Sequence, residues 1–212
     1  MSAEKSTREE APIRLFKSDF MEFFSHISPV AVMVIFLPLV VLFIWRAFQQ
    51  NIGFAWRVPL AFLFGLILWT PSEYLLHRFV FHFSPKNASE RMQRFLFLMH
   101  GVHHAQPRVK TRLVMPPAVS LPLAVLFYGL FTLIFSRLLG THYLTEAIYA
   151  GFMLGYVLYD LTHYALHHFS FKGGYWQKLR RHHIAHHFKT YDQRFGVSNW
   201  FWDDVFGTNP KA

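Results

Sequence analysis

A chain of 212 residues that is 53% hydrophobic, 19% aromatic and only 16% charged has more apolar surface than a water-soluble fold of one or two domains readily buries. It contains no cysteine, which excludes a disulfide framework, a thiolate metal site and an iron–sulfur cluster, and leaves nitrogen and oxygen as the only metal ligands. The formal net charge of +9 sits beside long apolar runs, the pattern of a cytosolic membrane surface rather than of a nucleic-acid-binding protein.

In chain order, residues 1–28 mix both signs of charge and lack the apolar core of a secretory signal, so they read as a cytosolic tail or short surface helix. Apolar runs at about 29–45, 59–76, 116–138 and 145–166 then each approach the roughly 20 residues a helix needs to cross the hydrocarbon core, predicting four spans. They are continuous rather than alternating, and too few for a closed barrel. Pro59, Pro71, Pro116, Pro117 and Pro122 fall mostly near run ends, where a missing N–H does least harm. Lys and Arg number four before the first run, seven between the second and third, and seven after the fourth, whereas the other side holds Arg46, Arg57 and Arg137. The positive-inside rule therefore predicts that both termini and the central loop are cytosolic.

The chain has 14 histidines, and imidazole is costly in lipid unless paired, ligated or interfacial. His77 and His82 lie where the second run ends, and His100, His103 and His104 in the central loop. His163, His167 and His168 lie where the fourth run ends, and His182, His183, His186 and His187 follow it. On the predicted orientation all four clusters open on one face. Residues three and four apart on a helix share a face, so His100 with His103 and His104, His163 with His167, and His183 with His186 and His187 can each send two imidazoles to one metal. His77 and His82 are five apart and need a helix end or a distorted turn. The candidate ligands are thus His77, His82, His100, His103, His104, His163, His167, His183, His186 and His187, too many for one ion, and two metals are predicted. His168 and His182 adjoin a spaced pair without being required by it, and His26 and His142 read as interfacial residues. Imidazole ligands suit Fe, Zn, Cu or Ni, so ligand type alone does not choose among them. Ligating histidines usually donate their second N–H to a carboxylate or carbonyl, which makes Glu73 and Asp160 candidate supports. Asp203 and Asp204 read as caps or docking groups of the C-terminal segment.

The ordered boxes His77-RFVF-His82, His100-GV-His103-His104, His163-YAL-His167-His168 and His183-IA-His186-His187 resemble those of the membrane fatty acid hydroxylase and sterol desaturase superfamily. EYLLHRFVFHF, LMHGVHH, RLVMPP and FGVSNWFWDDVFGT, over about residues 73–209, are most similar to its fatty acid 2-hydroxylase branch. The resemblance implies an all-α, integral membrane four-helix bundle over residues 29–212, under a cytosolic helical cap with a dimetal centre. It implies that the ten histidines are ligands, that the ions are iron (zinc being an alternative occupant in purified protein) and that dioxygen is co-substrate. The implied activity is that of a monooxygenase hydroxylating a lipid acyl chain at the carbon next to its carbonyl. Many eukaryotic members begin with a cytochrome b5 domain, and the tail here is too short for one, so the expected electron donor is separate: a cytochrome b5-like protein, a ferredoxin or a reductase. A desaturase or a sterol or carotenoid hydroxylase would use the same oxidant. A metal-ion transporter, the non-enzyme alternative, would place ionisable residues along a mid-membrane path, and the apolar runs are almost free of them. The sequence leaves open which acyl lipid is used.

Overall fold

The structure, a computed structural model, describes residues 11–210; the expectation for residues 1–10 lies outside the described residues. It is all-helical, with no strand among the described residues. A short helix α1 (Asp19–Phe23) precedes α2 (Pro29–Gln50) and α3 (Arg57–Leu76), and the small helices α4 (Glu90–Leu96) and α5 (Val102–Ala105) fill the central segment. Next come α6 (Pro117–Phe131), the long α7 (His142–His168), α8 (Gly174–Phe188) and a terminal turn, α9 (Phe201–Val205). Local signals set several starts. Ser28 caps α2 by accepting the Ala31 N–H at 3.2 Å, ahead of Pro29 at the first helical position. Pro71 leaves the Ile67 carbonyl without its helical donor, and the Thr70 hydroxyl supplies one at 2.9 Å.

Three stretches are long and apolar enough to cross a membrane, Pro29–Gln50, Arg57–Phe81 and Lys110–Leu138. Their outward faces leave Val34, Val41, Trp45, Leu60, Ile67, Val125 and Leu126 exposed, as expected of surfaces solvated by lipid. The fourth expected span corresponds to α7, which is long enough but more polar, carrying Thr145, Glu146, several tyrosines and Asp160. The physical reason lies in its position: α7 packs against α2, α3 and α6 and is buried almost without interruption from Thr145 to Asp160. It meets protein rather than lipid, and so tolerates polar groups that find partners there.

Small residues set the core spacing. A Cβ at Gly65 would lie 1.8 Å from the Ile148 carbonyl oxygen, and one at Gly151 1.9 Å from that of Phe62, so α3 and α7 cross with backbones in contact. Around this crossing Trp69, Phe152, Tyr156 and Tyr159 pack edge to face or tilted. At one end Asn51 donates to the Tyr143 carbonyl at 2.5 Å and Arg46 pairs with Glu146 at 2.6 Å. At the other end α3 and α7 finish and the histidines begin. There the N-terminal segment is strapped across the central segment: Ile13 donates to Gln106 at 2.8 Å, Arg94 to the Leu15 carbonyl at 3.0 Å, and Ile27 to the Thr111 carbonyl at 2.9 Å.

Candidate metal centre

α3 does not stop cleanly. Its last turn widens into a π-helical turn, His77–Phe81, closed by the His82 N–H on the His77 carbonyl at 3.0 Å. In that geometry residues five apart share a face, which supplies the distortion that His77 and His82 need. A second π turn, Phe97–Gly101, carries His100 into α5 with His103 and His104. α7 brings His163 and His167 to its C-terminal end, and α8 presents His183, His186 and His187.

These ten rings form two groups of five, His77, His82, His100, His104 and His186 in one, and His103, His163, His167, His183 and His187 in the other. Within each, one nitrogen per ring lies within 4.8 Å of all the others. The convergent atoms are Nε2: His100 to His77 at 3.1 Å and to His104 at 3.0 Å, and His186 to His82 at 3.0 Å. In the second group His103 lies 2.9 Å from both His163 and His187, and His183 2.9 Å from His167 and 3.2 Å from His187. The groups touch where His104 stacks on His187 at 4.1 Å between centroids.

A hydrogen-bond network does not account for this crowding. His100, His103 and His183 each bring Nε2 against two other Nε2 atoms, and one imidazole nitrogen is either a donor or an acceptor, never both. Burial, and after it the neighbouring imidazoles, pushes His82 down to about 3 and His104 to about 2, and His100, His103 and His183 well below the ordinary histidine range. The rings are therefore neutral at physiological pH, with lone pairs pointed inward, and such convergence is repulsive unless a cation sits among them. Corners about 3 Å apart, each about 2.1 Å from a common centre, subtend roughly 90° there, the angle between adjacent ligands of an octahedron. The donor set thus fits a first-row metal at each centre.

Two rings are fixed from behind. The His77 Nδ1–H donates to the Phe195 carbonyl at 2.5 Å, and that of His186 to the Gln193 carbonyl at 2.6 Å, which assigns Nε2 the metal-facing lone pair. The loop carrying these carbonyls is held by two buried carboxylates. Glu73 accepts the N–H groups of Val197 (3.0 Å) and Ser198 (2.7 Å) and the Ser198 hydroxyl (2.6 Å). Asp203 accepts those of Phe195 and Gly196, both at 2.8 Å, the Thr208 hydroxyl at 2.7 Å and His182 Nε2 at 2.9 Å. A Cβ at position 196 would lie 2.8 Å from the Asp203 carboxylate, so glycine is needed for this approach.

Glu73 therefore supports a ring indirectly, through the loop, and Asp160 accepts the Met115 N–H at 3.3 Å rather than touching a ring nitrogen. Sequence reasoning missed the Phe195 and Gln193 carbonyls, because backbone acceptors carry no residue signature, and saw Asp203 only as a docking group. Tyr191 was also missed; its ring packs on His82 at 4.4 Å and His104 at 4.8 Å. His182 faces Asp203 and His168 faces Tyr164, both outside the groups. His26 bonds Thr111, and His142 packs on Tyr143.

Beside the rings lies a largely apolar cavity of about 460 Å³. His100, His103 and His163 line it from both groups; Phe81, Phe95, Leu98 and Met115 extend it, and Leu15, Phe16, Phe20 and Phe24 of the strap line its other side.

Residues 62–208 match the family model for fatty acid hydroxylases. The chain is 38% identical to the fatty acid 2-hydroxylase of Rattus norvegicus, over 93% of this chain and 56% of that protein, so it spans little more than half of that relative. It is 39% identical to a dihydroceramide fatty acyl 2-hydroxylase of Arabidopsis thaliana, over 96% of this chain and 82% of that one. Among solved structures, full-length scs7p, of which only the hydroxylase domain is visible, superposes with a TM-score of 0.81 at 39% identity, covering 91% of this chain and 70% of the other.

Proposed function

The chain belongs to the fatty acid hydroxylase family, and from that premise we propose that it inserts one oxygen atom of dioxygen into a lipid acyl chain, at the carbon next to the carbonyl. The observation that carries this reading is the convergence of ten Nε2 atoms into two adjoining groups of five at the wall of an apolar cavity. Such a site provides nitrogen ligands for two ions, and the cavity admits a hydrocarbon but few polar substrates. The names of the relatives point the same way, a fatty acid 2-hydroxylase and a dihydroceramide fatty acyl 2-hydroxylase.

When bound, two iron ions would supply the redox chemistry with dioxygen that an unactivated C–H bond requires. The overall balance is R–H + O₂ + 2e⁻ + 2H⁺ → R–OH + H₂O, with electrons from a separate donor protein. The chain's own residues do the rest. The five imidazoles of each group would hold an ion without net ligand charge, and the Phe195 and Gln193 carbonyls set the angle of two of them. Phe81, Phe95 and Met115 exclude water along the cavity, and the enclosing wall holds the acyl chain in one track against the rings.

We read α2, α3, α6 and α7 as a four-helix membrane bundle, residues 29–212 as the hydroxylase domain and the histidine-bearing segments as its cap. Both termini and the cap then lie in the cytosol, a placement supported by the excess of Lys and Arg before the first run, between the second and third and after the fourth, over the three arginines Arg46, Arg57 and Arg137 of the other side. The test is lipid mass spectrometry of cells producing the wild type: a hydroxyl next to the acyl carbonyl is expected. New double bonds without hydroxyl would make the protein a desaturase, and unchanged lipids would remove the reading.

A further inference from the structure

One cation in the cavity wall is unexplained by the metal site. Arg112, only 5% exposed, lies in the same enclosure as His100, His103 and His163. Its Nη2 donates to Glu22 at 2.5 Å and to His26 Nε2 at 2.9 Å. Its Nε and Nη1 are buried with no hydrogen-bond partner. Glu22 comes from the strap and is itself satisfied: burial raises its pKa, but the Phe16 and Leu15 N–H groups and Arg112 outweigh that and hold it below the ordinary glutamate value. The charge of Arg112 is thus balanced, while N–H donors on Nε and Nη1 are left over.

Buried donors without an acceptor are a standing free-energy cost that natural structures rarely carry without a reason. Arg112 is one of the residues lining the cavity, which is otherwise largely apolar, and an acyl lipid brings into it one strong acceptor, the carbonyl oxygen. A guanidinium presents its N–H groups as a planar fork suited to such an oxygen. Resting on the hydroxylase reading above, we propose that Arg112 is a positioning residue that receives the acyl carbonyl through its Nε and Nη1 N–H groups. An apolar tube alone lets a hydrocarbon slide by one methylene at little cost; a fixed carbonyl stops the sliding and presents the neighbouring carbon to the metals. The shared chemistry is a carbonyl oxygen, whether of an amide or of a free acid.

The test compares wild type, Arg112→Gln and Arg112→Lys as full-length protein in detergent. Binding of palmitoyl amide, palmitic acid and hexadecane is measured on metal-loaded protein without an electron donor, and the position of the hydroxyl with the donor supplied. Arg112→Gln should weaken one or both carbonyl ligands about tenfold or more and leave hexadecane unchanged, and the carbonyl ligand affected names the head group. In turnover it should raise KM more than it lowers kcat and spread the product hydroxyl to positions further along the chain, with Arg112→Lys intermediate. An equal loss on hexadecane, or no loss on any ligand with product position unchanged, overturns the proposal. Wild-type protein that binds both carbonyl ligands through Arg112 yet makes no hydroxylated product overturns the functional reading and leaves the anchor standing.

Discussion

His104 places its Nε2 3.0 Å from that of His100 and stacks on His187 of the other group at 4.1 Å, so its removal takes one ligand from the first centre and one packing face from the second. His104→Ala should lower bound metal from two ions per chain toward one, measured by elemental analysis, and reduce hydroxy-acyl lipid to the level of cells lacking the protein. Asp203 acts at a distance. It touches no ring of either group but holds the Phe195 and Gly196 N–H groups, and through them the carbonyl behind His77. Asp203→Asn replaces one accepting oxygen by a donor, so the loop shifts and metal affinity should fall about 10- to 100-fold. Chelator competition measures this, and an unchanged affinity would reduce Asp203 to a fold-stabilising role.

Among the elements, the α3–α7 crossing is the least tolerant. Because a Cβ at position 151 would lie 1.9 Å from the Phe62 carbonyl oxygen, Gly151→Ala must push two backbones apart. Overpacking of this kind costs about 1–3 kcal/mol, or roughly 2–12 °C in melting temperature for a chain of this size. Gly129→Ala, inside α6 with nothing within 4 Å of the new Cβ, is the control expected to leave it unchanged or raise it slightly through helix propensity. The strap responds to pH instead. Glu22 has a folded pKa lowered from its ordinary value of 4.5, so its stabilising contribution is fully present above about 4.5 and is lost as pH falls through the lower folded value. Protection from hydrogen exchange across residues 13–24, taken relative to the intrinsic rate at each pH, should therefore fall below about pH 4.5, and Glu22→Gln should reproduce that loss at neutral pH.

At the scale of the whole molecule, ten convergent imidazoles, six buried and four half-buried, come from four separate segments of the chain, and metal held among them would stabilise the folded state that assembles them. Chelation should lower the melting temperature and loosen α8 and residues 189–200 first, since these are joined to the rest largely through the rings and the two carboxylates; the same shift after Fe²⁺ is restored would argue against resident metal. The absence of cysteine makes orientation directly measurable. Single cysteines at Ile52 and Asn87 should label from opposite sides of the membrane, with Asn87 reactive only from the cytosol.

The sequence by itself determined the inventory: helical spans from apolar length, candidate ligands from histidine spacing, and the absence of thiolate chemistry from composition, because each is a property of short stretches of chain. It could not tell that α7, unlike the other three apolar runs, is surrounded by α2, α3 and α6, since whether a helix faces lipid or protein depends on neighbours distant in sequence. The division of ligands was also beyond it. Spacing put His100 with both His103 and His104, whereas the structure keeps His100 and His104 in one group and sends His103 to the other; likewise His183 and His187 stay together while His186 departs. Positions four apart lie 40° apart around a helix and positions three apart 60° on the other side, so a helix wedged between two centres divides its histidines between them. Only the packing of α5 and α8 among the other elements decides that a helix is so placed, and the same packing brings the strap, Arg112 and both ring groups around one cavity.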